Sequence, residues 1–231
     1  MLKLQIEVFL MSQQNLPELK TCYVDDLKIP DFDERKTVQV AALLVKKFNN
    51  KLDRDKLLKM IYLIDRKSLE DRGYPVTFDR PYNMKFGPIL SHTYRLMKEG
   101  NGKYWNKVFL VPDTKHLVKL RDVEVGIGAL SEADMEYIDK VIEEVGHMSF
   151  QEISQYTHKL EEYEDTGDMS RPIEWNNWLR AVGWDDDEIL DIREELDARA
   201  SFEKMVGSDA DFEHAAEQVL KKNQELYRRL G

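Results

Sequence analysis

A helix-length run that is apolar almost all the way round, Lys56-Leu57-Leu58-Lys59-Met60-Ile61-Tyr62-Leu63-Ile64-Asp65-Arg66, constrains this chain more than any other feature. Such a helix has no broad face to give to water, so neighbours must cover it on several sides and the fold has to be built around it. Asp65 stands seven residues after Leu58 and four after Ile61, inside the apolar stripe. A carboxylate there needs partners. It either snorkels to water from the margin of the stripe or caps a nearby loop, and a pairing with Lys56 would make a polar element within the core.

The rest of the chain supplies candidate neighbours. Leu2 to Leu10 alternate in the period-two pattern of a half-buried strand, dispensable if translation starts at Met11 instead of Met1. Residues 12–35, with Pro17, Pro30 and acidic pairs, read as an irregular connection. A helix is expected from about Thr37 to Phe48, and the central one from Asp53, its N-cap, to Gly73-Tyr74-Pro75. Pro88 suits the first turn of a third helix reaching about Lys98. Tyr104–Val111 and His116–Leu120, joined by the turn Pro112-Asp113-Thr114-Lys115, read as one β-hairpin.

Ser131-Glu132-Ala133-Asp134 and Ser149 open two further helices, which stop at Gly146 and at Thr157-His158. A short Trp-rich segment around Trp175 and Trp178 precedes a charged helix that begins at Asp185-Asp186-Asp187, breaks at Gly207-Ser208 and is followed by a last helix to about Leu230. The expected fold is mainly α: a compact helical domain of about six helices around a buried central helix, with one small β-hairpin and a C-terminal helical extension.

Composition narrows the function. No run approaches the ~18 apolar residues of a membrane span, no leader pattern is present, and the single Cys22 excludes an internal disulfide and fits a reducing cytoplasm. Residues 1–120 hold 22 Lys and Arg against 15 Asp and Glu, whereas residues 121–231 hold 12 against 29. The acidic half argues against a nucleic-acid partner and for steering of a partner with a basic patch, or else serves solubility.

Chemistry-bearing patterns are missing. The chain has no phosphate-binding glycine loop and no nucleophile elbow, and its five His lack ligand spacing. No catalytic, cofactor-binding or metal residue is therefore expected. His158, at a helix end where a cation is favoured, reads as a structural tie, and Tyr62, Phe86 and Tyr94 as core aromatics. Trp175, Trp178 and Trp184 either pack onto the domain or, rimmed by Asp185, Asp186 and Asp187, anchor a partner; Tyr94 is a further partner-binding candidate.

The order of Lys56, Leu57, Lys59 and Tyr62, then Phe86, Gly87 and Pro88, then Tyr94, with Leu130-Ser131-Glu132, Val145-Gly146-His147-Met148-Ser149 and Tyr156-Thr157-His158 beyond, resembles the Panacea domain family of SocA-like antitoxins. Asn83 and Met84 depart from the small residue and aromatic of that pattern, and Tyr163 from a Trp. The resemblance spans about residues 36–184, leaving 1–35 as an N-terminal extension and 185–231 as charged C-terminal helices. It implies a cytoplasmic antitoxin of a bacterial or phage toxin-antitoxin system that neutralises a cognate protein toxin by direct binding. An adaptor delivering a partner to a protease or chaperone, and an enzyme with a polar site around Asp65 and His158, are the alternatives.

Overall fold

The central apolar run lies in a 19-residue helix, and helices and short strands from both sides of it in the sequence pack around it. A computed structural model describes residues 29–110 and 116–206. Helix α1, Glu34–Lys47, is capped by Asp33, which accepts from the Lys36 amide at 2.8 Å, and buries Val38, Ala41, Ala42, Leu44 and Val45. After strand β1, Lys51–Asp53, helix α2 runs Arg54–Arg72 between the expected punctuation, Asp53 accepting from the amides of Asp55 and Lys56 and Gly73 closing it at φ 76°. Leu57, Ile61, Tyr62 and Ile64 of α2 are wholly buried.

Strands β2, Pro81–Asn83, and β3, Ile89–Leu90, form an antiparallel hairpin in the register Pro81↔Leu90 and Tyr82↔Ile89, and β5, Arg171–Pro172, pairs with the other edge of β2. Helix α3, Ser91–Glu99, follows β3. Pro88 therefore closes a hairpin turn and does not open the helix. The helix waits until Ser91 because its first-turn donors are satisfied from a distance: buried Asp79 accepts from the amides of His92 at 2.9 Å and Thr93 at 2.7 Å.

The mainly α fold with a small hairpin is as the sequence implies, but the strand expected at Tyr104–Val111 is replaced by a short helix, α4, Trp105–Val108. Glu34 accounts for this. Its carboxylate accepts from the amides of Lys103, Tyr104 and Trp105, fixing a turn there, and Trp105 then stacks on Phe109 one turn later at 4.1 Å. Among the described residues, the bridge Phe109↔Leu120 is what remains of the expected pairing. Strand β4, Leu117–Lys119, pairs with β1 instead, placing Leu52 opposite Val118, both buried.

Helices α5, Glu132–Val145, and α6, Phe150–Thr157, each begin with a capping box, Ser131 with Asp134 and Ser149 with Glu152. Both pack on α2. Helix α7, Trp175–Ala181, adds Trp175, Trp178 and Leu179 to the core, and α8, Asp186–Val206, lays Ile189 and Leu196 against it. The alternating segment 2–10, Met11, Cys22, the turn at 112–115, the break at Gly207-Ser208 and the last expected helix lie outside the described residues. Among the described residues no helix is long and apolar enough to cross a membrane.

Candidate functional site

Helix α2 distributes its polar side chains to three different neighbours. Near its start, Lys56 donates to the Gly146 carbonyl at 2.7 Å, so a cation satisfies the end of α5. One turn later Lys59, wholly buried, donates to the Pro88 carbonyl at 2.7 Å. Burial holds its amine well below the ordinary lysine range, with Asp55 pulling weakly the other way.

The hairpin turn that Lys59 reaches is held from a second side by α6. Ser154 Oγ donates to the Phe86 carbonyl at 2.9 Å, and the Gly87 amide closes the turn onto the Met84 carbonyl at 2.8 Å. Gly87 has φ 95°, and a Cβ on it would lie 2.5 Å from Thr157 Oγ1 and 2.9 Å from Lys59 Nζ. Glycine is required there by conformation and by space. His158, the C-cap of α6, faces the carbonyls of Lys85 and Phe86 and stacks on Tyr163 at 4.3 Å; burial lowers its pKa and Lys59 adds to the effect.

Lys59, Phe86, Gly87, Pro88, Thr157 and His158 thus meet at one junction of α2, the hairpin and α6. Beside it opens a pocket of about 70 Å³, walled by Leu58, Met84, Phe86, Ile89 and Phe150, with Arg54, Asp55, Lys59 and Tyr94 also lining it.

Tyr62 and Asp65 belong elsewhere. Tyr62 donates to Glu162 Oε1 at 2.7 Å, the same carboxylate receives Arg66 Nε at 2.8 Å, and Trp178 stacks on the Tyr62 ring at 5.6 Å. Asp65 accepts from the amide of Thr77 at 3.0 Å and from its hydroxyl, and so pins the loop between α2 and β2. It makes no pair with Lys56. Burial raises its pKa to about 7, the Thr77 bonds opposing and the nearby Asp79 charge assisting.

Residues 57–164 match the family model described as antitoxin SocA-like, Panacea domain. The Panacea domain match covers just under half of the chain and contains α2 from Leu57 onward, the β2–β3 hairpin, the apolar pocket walls and α6. No curated protein and no solved structure matches the chain.

Other candidates fall where their surroundings explain them. Tyr94 is buried apart from its edge in the pocket, while Trp175 and Trp178 are 5% and 0% exposed and pack T-shaped on each other at 5.8 Å. Asp185 accepts from the amides of Asp187 and Glu188 at the start of α8, and Asp186 pairs with Arg180 at 2.9 Å. All three acidic residues, Asp185, Asp186 and Asp187, are exposed. Among the described residues no group of His, Cys, Asp and Glu could hold a metal ion.

Arg54, Asp79, Phe150 and Glu162 are structurally central, and the sequence offers no local signal for them. Asp79 and Glu162 look like ordinary loop acids; the distant donors His92 and Thr93 for the one, and Tyr62 and Arg66 for the other, give them a role.

Proposed function

We propose that this chain is the antitoxin of a toxin-antitoxin system and neutralises a cognate protein toxin by direct, non-covalent binding. The observation that carries the reading is the Panacea domain match, reinforced by the way six of the motif residues, Lys59, Phe86, Gly87, Pro88, Thr157 and His158, meet at one junction. Direct binding asks for a rigid surface and no reaction, and a junction locked by Lys59, Ser154 and Gly87 provides rigidity. We take the domain as residues 36–184, with the charged helix beyond it as an appended element. A cytoplasmic location and an origin in a bacterium or its phage belong to the same reading.

Co-expression with the product of the neighbouring gene is the test. That product should arrest growth alone, the arrest should be relieved by this chain, and the two should co-purify at fixed stoichiometry. Relief that persists in hosts lacking each major protease in turn separates a stoichiometric inhibitor from an adaptor. A non-toxic neighbour, or arrest that persists with both proteins expressed and folded, would sink the reading.

A further inference from the structure

The pocket beside the junction combines apolar walls with an incompletely satisfied amine. Lys59 is 2% exposed, and among the described residues the Pro88 carbonyl is the one acceptor its amine finds within hydrogen-bond distance. Arg54, the other basic residue lining the pocket, is itself 8% exposed and holds Asp55, a carboxylate that also lines the pocket, through Nε at 3.0 Å, so the lining carries two basic groups against one acid. A buried amine without a bound carboxylate is stabilised by any acceptor that arrives, and most by an anion. Size selects the source of that anion. Pockets that enclose a drug-sized molecule measure about 300–1,000 Å³, whereas about 70 Å³ takes one side-chain-sized group. Single apolar side chains seated in small pockets are how protein interfaces anchor.

We propose that this pocket is the toxin's anchor site: it receives one branched apolar side chain from the toxin surface, and a toxin carboxylate adjacent to that side chain bonds to Lys59 and Arg54. The occupant's identity rests on the antitoxin reading; the chemistry rests on the pocket alone. The pocket residues up to Tyr94 belong to the half of the chain that carries 22 Lys and Arg against 15 Asp and Glu, so an acidic residue beside the anchor meets a field of the right sign.

Isovalerate, a branched apolar group bearing one carboxylate, is the probe, and isoamyl alcohol is its neutral counterpart. Both are titrated into the full chain while the methionine methyl resonances are followed. Isovalerate should shift the Met84 methyl and bind at least ~10-fold more tightly than the alcohol, the discrimination expected of one charge-assisted bond. Lys59→Met should remove that preference while unfolding stays cooperative; if it does not fold, Arg54→Met is read in the same way. Equal affinity for acid and alcohol, or no shift at Met84, overturns the pocket chemistry.

In a second arm, Lys59→Met and Phe150→Glu are co-expressed with the neighbouring gene product. Loss of rescue by folded variants supports the anchor. Intact rescue alongside isovalerate binding overturns it and leaves a site for a free small acid. A neighbouring product that is not toxic removes the antitoxin reading and the anchor with it, and the isovalerate arm alone then decides whether the pocket binds carboxylates.

Discussion

Lys59 Nζ donates to the carbonyl oxygen of Pro88 across 2.7 Å, tying the second turn of the central helix to the residue that closes the Gly87 turn. Ser154 Oγ holds the Phe86 carbonyl on the other side of the same glycine. The turn is clamped between α2 and α6, and its close approach to both is what a side chain at position 87 would destroy.

Gly87→Ala should therefore destabilise the protein by roughly 3 kcal/mol, combining backbone strain with displacement of buried polar groups. Gly100→Ala is the control. That glycine also has positive φ, 66°, but nothing lies within 4 Å of its Cβ position, so strain alone acts and the loss should be about 1 kcal/mol. Denaturant unfolding of the two variants measures the difference; equal losses would mean that the close approach at Gly87 contributes nothing.

Asp65 should make stability depend on pH in a defined direction. Its folded pKa, about 7, lies above the ordinary value of 3.8. Between those values the unfolded chain releases a proton that the folded chain keeps, so stability is greatest below the unfolded pKa, falls as pH rises, and levels off above about 7. The full span corresponds to about 4 kcal/mol. Asp65→Asn preserves an acceptor for the Thr77 amide and cannot ionise, so the difference between wild-type and variant stability should change across pH 4–7. A flat difference curve would show that Asp65 stays ionised in the folded protein.

Tyr62→Phe should cost about 1–2 kcal/mol, because it removes a hydrogen bond to a buried carboxylate while leaving Arg66 as its counter-ion. Glu162→Gln should cost more, since it strips Arg66 of its charge partner. A double-mutant cycle should give a coupling of at least about 0.5 kcal/mol between Tyr62 and Glu162. Additive losses would reduce the contact to simple packing.

The elements that were legible in the sequence are those whose signals are local. Asp53 and Gly73 bracket α2 because an N-cap carboxylate and a left-handed C-cap act within one turn of chain, and Ser131 and Asp134 form their capping box for the same reason. The misplaced elements were set by carboxylates far away in sequence. Glu34 gathers the amides of residues 103–105 and turns an apparent strand into α4, and Asp79 delays α3 to Ser91. The junction was half legible: Lys59, Gly87, Pro88 and Thr157 could be picked out, but not that they meet, since contact between residues 98 apart leaves no periodic trace. Phe150 and Arg54, which complete the pocket, had no pattern of their own.

The charge asymmetry gives the last prediction. Residues 121–231 carry 29 Asp and Glu against 12 Lys and Arg, while the half that holds most of the pocket is basic. On the antitoxin reading proposed above, a toxin with complementary polarity would be steered by the acidic half and oriented so that its own acidic anchor reaches Lys59. Association should then slow steeply between about 50 and 500 mM salt, as the Debye length contracts from roughly 14 to 4 Å, with dissociation changing less. Joint replacement of Asp185, Asp186 and Asp187 by Asn should reproduce part of that slowing. Asn keeps a capping acceptor at position 185, where Asp185 now receives two amides, so α8 should survive the change. Stopped-flow association rates, with circular dichroism to verify the fold, separate steering from folding. A rate that ignores both salt and the triple replacement would leave the acidic half without a part in recognition and make the pocket face the whole of the docking surface.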